Sequence, residues 1–155
     1  MALKLSTGLI NKMMDTGSFK SIFENAADGF MIDIFSGTRP ADADAATGNG
    51  STATLLVTVS NGASGLTFEA TATAGQLEKN AGETWQGTAA ATGTASWFRV
   101  RLKTGDSASG TLSTTLPRVD GSVSTSGADM NLGSVTVTSG APFVLSTASF
   151  TLPSA

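Results

Sequence analysis

Residues 94–103 read Thr-Ala-Ser-Trp-Phe-Arg-Val-Arg-Leu-Lys. Phe98, Val100 and Leu102 fall on one side of a period of two, and Trp97, Arg99, Arg101 and Lys103 fall on the other. Successive side chains of a strand point to opposite faces, so this stretch predicts a strand with one buried face and one wet, basic face. A sheet that is apolar on one side needs a second layer to cover it.

The rest of the chain supplies further strands. In residues 29–36, Phe30, Ile32 and Ile34 share one face and Met31, Asp33 and Phe35 the other. Both faces are largely apolar, which predicts cover on both sides. Residues 54–60 form a second run, and Asn61-Gly62 after it is a hairpin signal. Residues 65–70, 75–79 and 83–87 predict short strands, with Leu66, Phe68 and Ala70 inward in the first and Trp85 on the last. Residues 108–115 are too rich in small polar side chains to assign. Residues 117–125 read as a strand with Val119 and Val123 on one face, and Pro117 belongs at its start. Residues 134–138 alternate cleanly. Residues 143–152 predict one long closing strand with Phe143, Leu145, Phe150 and Leu152 inward and a bulge near Thr147. Nine or ten short strands with turns every eight to twelve residues point to an antiparallel, jelly-roll-like β-sandwich, roughly the spacing such folds show. No strict internal repeat is visible.

Ahead of the strands, residues 3–14 carry Leu5, Leu9 and Met13 at helical spacing. Ser6 or Thr7 can cap the start, and Gly17 lies past the end. Residues 18–26 predict a second helix on Phe19, Ile22 and Phe23. The chain thus divides into a helical segment, 1–28, and a β-sandwich, 29–155. The two apolar helix faces either pack on their own chain, the ordinary outcome, or dock on a neighbouring subunit.

Composition narrows the chemistry. The 155 residues fit one domain with a core of ordinary size. A net charge of −3 gives no electrostatic footprint for nucleic acid. There is no Cys, so disulfides, thiolate metal sites and Cys nucleophiles are excluded. There is no His, so a Ser-His-Asp triad cannot be built. No secretory leader, membrane span, phosphate loop or dinucleotide fingerprint is present in the sequence. Neither a cofactor nor a metal site is expected.

Three features remain as site candidates. The ladder Trp97, Arg99, Arg101 and Lys103 has the Trp and Arg content of a protein interface, and as a plain alternative is a solvated strand face. Residues 37–50, with Arg39, Asp42 and Asp44, form a loop long enough to be a binding element. Asp42 and Asp44 open like a calcium loop, but Ala53 stands where the final acceptor is needed, so turn carboxylates are the better reading. Trp85 and Trp97 could stack on sugar rings, although packing is the commoner fate of Trp. Carboxylate-based glycan cleavage could draw on Glu24, Asp33, Glu69, Glu78, Glu83, Asp106, Asp120 or Asp129, none in a recognisable pair.

Several stretches also carry a family likeness. They are Leu-Ser-Thr-Gly-Leu-Ile-Asn-Lys-Met at 5–13, Ile-Asp-Ile-Phe-Ser-Gly-Thr-Arg-Pro-Ala-Asp-Ala-Asp at 32–44 and Thr-Leu-Leu-Val-Thr-Val at 54–59. Gly-Thr-Ala-Ser-Trp-Phe-Arg-Val at 93–100, residues 120–132 and Phe-Thr-Leu-Pro at 150–153 complete the set. The chain resembles a group of small uncharacterised proteins encoded among the virion structural genes of tailed bacteriophages and prophages. The resemblance implies a virion component assembled in the host cytoplasm, without catalytic activity. It implies other virion proteins as partners, either the major capsid protein or tail proteins, and a homo-oligomer, with no nucleic acid or membrane partner. A capsid decoration or cement role is the favoured expectation, with a tail, neck or fibre component that recognises host glycans as the alternative. Under it, Leu5, Leu9 and Met13, the 37–50 loop and the basic ladder would be contact elements.

Overall fold

The structure is a computed structural model and describes residues 3–24, 28–48 and 52–151. Elements follow in chain order. A short strand β1 (Lys4–Leu5) precedes helices α1 (Thr7–Asp15) and α2 (Phe19–Phe23). Strands β2 (Phe30–Ser36), β3 (Thr54–Val59), β4 (Gln76–Glu78) and β5 (Trp85–Thr88) come next. They lead to β6 (Gly93–Thr94), β7 (Trp97–Leu102) and β8 (Arg118–Ser124). The chain closes through β9 (Met130–Asn131), β10 (Thr136–Val137), β11 (Pro142–Leu145) and β12 (Ser149–Thr151). The fold is an antiparallel β-sandwich with two short N-terminal helices.

The main sheet runs β1-β8-β7-β2-β3, with β9 added to β8 in parallel. Beyond β3 it continues into β5. Gln86 and Ser60 exchange N–H···O bonds of 2.9 Å in both directions, and Ala90 N–H donates to the Leu56 carbonyl at 2.7 Å. β5 in turn pairs with β11. Two further antiparallel pairs, β4 with β12 and β6 with β10, lie off this sheet.

β7 sits between β2 and β8, so its alternation sets both faces. Phe98 and Val100 are buried on one face with Phe30, Ile32 and Ile34 of β2 and Val119 of β8. Gly121 on β8 lies opposite Phe98, and a Cβ there would stand 2.4 Å from the Phe98 ring, so only Gly lets the ring lie across β8. An aromatic cluster covers this face. The Phe30 ring stacks on Phe68 at 4.6 Å and meets Trp85 edge-on at 5.5 Å, while Phe68 meets Phe150 at 5.5 Å. α2 brings Phe19 and Phe23 to the same cluster. Burying a side chain of this size contributes about 1.5–3 kcal/mol.

The helices form for local reasons. Ser6 caps α1 by accepting from Leu9 N–H, and Ser18 and Ser21 make a reciprocal capping box on α2. Residues 4–5, expected to be helical, instead pair with β8, Lys4 opposite Asp120 and Leu5 opposite Val119. Alternation explains the change, because Leu5 reaches the apolar face only as a strand residue. The N-terminal segment is therefore part of the sheet rather than an appendage to it. Leu9 is fully buried, Leu5 and Met13 are half-buried against the core, and the helix faces pack on their own chain. Leu9 is thereby closed to a neighbour, while Ile10 and Met14 remain exposed on α1.

Other strand boundaries shift. Residues 65–70 make only isolated bridges, Leu66 to Phe30 and Phe68 to Lys79, although Leu66 and Phe68 are buried as expected. Ala70 is exposed. The closing strand is two strands: β11 pairs with β5 and β12 with β4. The parity break near Thr147 is where the chain leaves one pair for the other. Leu152 lies outside the described residues, as do Ala26 and residues 49–50.

Candidate functional site

The face of the main sheet expected to be wet is buried. Trp97 and Arg101 are nearly inaccessible, and Arg99, Arg118, Asp33 and Asp120 are fully inaccessible, at 0% exposure. The basic ladder is neither a solvated face nor an open interface, because its counter-charges and its cover both come from the same chain. Lys103, just past the strand, is half-buried, and its backbone N–H donates to the Gly29 carbonyl at 3.2 Å.

Strand register produces the pairing. In one row across the sheet stand Thr58, Asp33, Arg99, Asp120 and Lys4, from five successive strands. Charges alternate in sign along the row. Arg99 holds Asp120 in a fork, with Nε to Oδ1 at 2.6 Å and Nη2 to Oδ2 at 2.7 Å. Arg101, one row away, reaches diagonally to Asp33, with Nε to Oδ2 at 2.5 Å, and Thr58 Oγ1 donates to Asp33 Oδ1 at 2.6 Å. Arg118 holds Asp106 in a second fork at 2.6 and 2.7 Å. Paired guanidinium–carboxylate geometry of this kind is the strong form of the ion pair.

Each guanidinium spends its remaining nitrogen on a covering loop. Arg99 Nη1 donates to the Ala45 carbonyl at 2.9 Å, Arg118 Nη1 to Thr111 at 2.7 Å, and Arg101 Nη1 to Asp106 at 3.3 Å. Residues 37–48 and 103–117 therefore lie over the charged face and are bound to it. They are also bound to each other, through Thr47 N–H to the Gly110 carbonyl and Ser113 N–H to the Asp44 carbonyl. Lys4 Nζ donates to the carbonyls of Pro40 and Ala41 at 3.1 and 2.7 Å.

The loop candidates take internal roles too. Asp44 accepts from Thr7 N–H at 2.9 Å and Thr7 Oγ1 at 2.6 Å, which places a carboxylate at the start of α1, where the helix dipole favours it. Asp42 accepts from Ala45 N–H at 2.9 Å, a turn carboxylate as weighed above. Arg39 lies 3.9 Å from the Asp129 carboxylate and 3.5 Å from the Asp120 carbonyl. Among the described residues, no group of three or more Asp or Glu could hold a metal ion.

Burial pushes the Asp120 carboxyl above the ordinary carboxylate range, and the Arg99 guanidinium, with Arg39 and Arg118 farther off, works against that shift. Trp97 packs flat on Phe35, 4.2 Å between ring centroids, with the Arg99 guanidinium 5.9 Å from its ring. Trp97 Nε1 is the one buried side-chain N or O among the described residues without a hydrogen-bond partner. Trp85 is also buried, and its Nε1 donates to Glu83 Oε2 at 2.8 Å. Neither Trp offers a ring face to a sugar.

Seven of the eight carboxylates weighed for glycan cleavage are engaged as well, while Glu78 is exposed. Glu24, Asp33, Glu69, Glu83, Asp106, Asp120 and Asp129 each accept at least one hydrogen bond from this chain. The residues that the sequence reading missed as a group are the partners, Asp33, Asp106, Arg118 and Asp120. A cue was present: Arg118 and Asp120 alternate with Val119 and Gly121, as Arg99 and Arg101 do with Phe98 and Val100. The cue is partial: Asp120 stands opposite Arg99, but Arg118 stands opposite Arg101 and takes its carboxylate from Asp106. No family model, curated protein or solved structure matches this chain.

Proposed function

We propose that this chain is a non-enzymatic structural protein of a tailed-phage virion, with capsid decoration as its role. The observation that supports the reading most is where the charge goes. All four arginines, Arg39, Arg99, Arg101 and Arg118, are turned toward carboxylates of the same chain. Residues 45–68, 84–98 and 130–151 contain no ionisable side chain at all. The β3–β5–β11 side of the sheet is thus built from Thr, Ser, Ala, Gly and a few apolar residues. Depletion of charge is the compositional mark of the buried centre of a protein interface. Small side chains also allow close approach of neighbouring subunits. The likeness to phage virion proteins gives this surface its context.

The test is immunogold labelling of purified phage particles from the source lysate. Gold distributed over the head is the expected result. Gold confined to neck, tail or fibres would replace decoration with a tail role. Particles without label would overturn the virion reading.

A further inference from the structure

The last strand of the extended main sheet, β11, ends that sheet with an open edge. Hydrogen-bond phase shows which groups it presents. Gln86 of β5 gives both its backbone N–H and its carbonyl to Ser60, on the far side from β11. Gln86 is in register with Val144. The Gln86–Val144 pair is therefore a non-hydrogen-bonded one, and Val144 directs its own N–H and carbonyl away from β5. A second bond fixes the same phase: Ala89 N–H donates to the Ala141 carbonyl at 3.0 Å, so the bonded pairs are Gly87 with Phe143 and Trp85 with Leu145. Among the described residues, no strand other than β5 pairs with β11. The Val144 side chain is 52% exposed.

Natural edges are shielded by inward-pointing charges, Lys, bulges or Pro. This edge has one such device, Pro142, which lacks an N–H but still presents its carbonyl outward. It carries no charge, and none lies within residues 130–151.

We propose that β11 is the surface by which two copies of this chain pair, edge to edge and antiparallel, across a two-fold axis at Val144. The occupant follows from the groups presented. An open edge is satisfied by another strand, and a donor and an acceptor on one residue are complementary to themselves under two-fold rotation. Val144 N–H meets the partner's Val144 carbonyl, and the reverse bond forms at the same time. The two exposed Val144 side chains then face each other as a cross-strand apolar pair. A second copy brings no like charge to this seam. The main sheets of the two copies become continuous. The pairing goes beyond the virion reading and stands without it.

The test is the mass of the full chain in solution by light scattering over a concentration series, with amide exchange on the same samples. The wild-type chain is expected at twice its 15.5 kDa mass. Val144→Lys is expected at the single-chain mass, folded, with a melting temperature that no longer rises with concentration as the wild type's does, and Val144→Thr is expected to remain paired. The Val144 amide in the wild type should exchange about 10-fold more slowly after a roughly hundredfold rise in concentration, as dimer mass action requires, while the Phe143 amide, bonded to β5, is slow throughout. A wild-type chain that stays at the single mass throughout overturns the proposal. So does a folded Val144→Lys chain that still pairs, or a Val144 amide whose exchange ignores concentration. The exchange arm uses only the wild type and decides the matter even if the Lys variant does not fold.

Discussion

On β2, Ile32 and Asp33 are neighbours in sequence and both wholly buried, yet they are held by opposite means. Ile32 belongs to a face closed by aromatic rings and helix side chains, where contact is non-directional and a missing methyl group costs little. Asp33 belongs to a face closed by loops, where its own contacts are directed bonds to named atoms. The comparison shows how a small protein can lay irregular loops over a sheet without a second apolar layer. Ion pairs satisfy one another in the plane of the sheet, and the spare guanidinium nitrogens reach up to the loop carbonyls. Buried ions are costly to strip of water, so the arrangement holds only while each is paired.

Substitutions on the two faces should therefore differ in size. Asp33→Ala leaves the Arg101 guanidinium without its carboxylate and is expected to cost about 3–5 kcal/mol, read from denaturant unfolding. That is a large share of the ~5–15 kcal/mol that holds a typical domain together. A loss below 1 kcal/mol would mean that water reaches the pair. Ile32→Val, one residue away, is expected to cost only about 0.5–1.5 kcal/mol. If it matches Asp33→Ala, the contrast between the faces fails.

Smaller effects sharpen the comparison at its margin. Asp44→Ala removes the carboxylate at the start of α1 and should cost about 0.3–1 kcal/mol, with faster amide exchange at Thr7 as the local sign. The pH dependence is smaller still and has a definite sign. Because burial raises the Asp120 pKa in the folded chain, the folded state holds that proton more tightly than the unfolded state does. The wild type should gain stability relative to Asp120→Asn as pH falls from neutral through the raised folded value. The gain should be complete below the ordinary carboxylate value of about 3.9. A slope of the opposite sign would show that the Arg99 fork outweighs burial.

Much of the architecture was legible because period-two patterns survive in β2, β3, β7 and β8, the strands with neighbours on both sides. Ser6, one of the two caps the sequence offered, likewise marks the start of α1. Legibility failed where a pattern of two had two physical solutions. Trp97, Arg99 and Arg101 alternate as a wet face would, and as a face paired to its own counter-charges would. Choosing between them requires knowing that β8 lies beside β7 and presents Asp120 opposite Arg99, a long-range register that no local window contains. Leu5 failed for a similar reason: its helical spacing to Leu9 is real, but its partner is Val119. Residues 108–115 carry no period at all, since their place is set by bonds from Arg118 and Thr47 rather than by their own side chains.

The most direct test of this division is a double-mutant cycle on Arg99 and Asp120, measured by denaturant unfolding. Arg99→Leu and Asp120→Leu each leave one buried ion unpaired, and each is expected to cost about 3–5 kcal/mol. The double variant removes both ions and should lose clearly less than the sum, with a coupling of at least about 2 kcal/mol. Losses that simply add would contradict the claim that this face is held by ions paired within the chain.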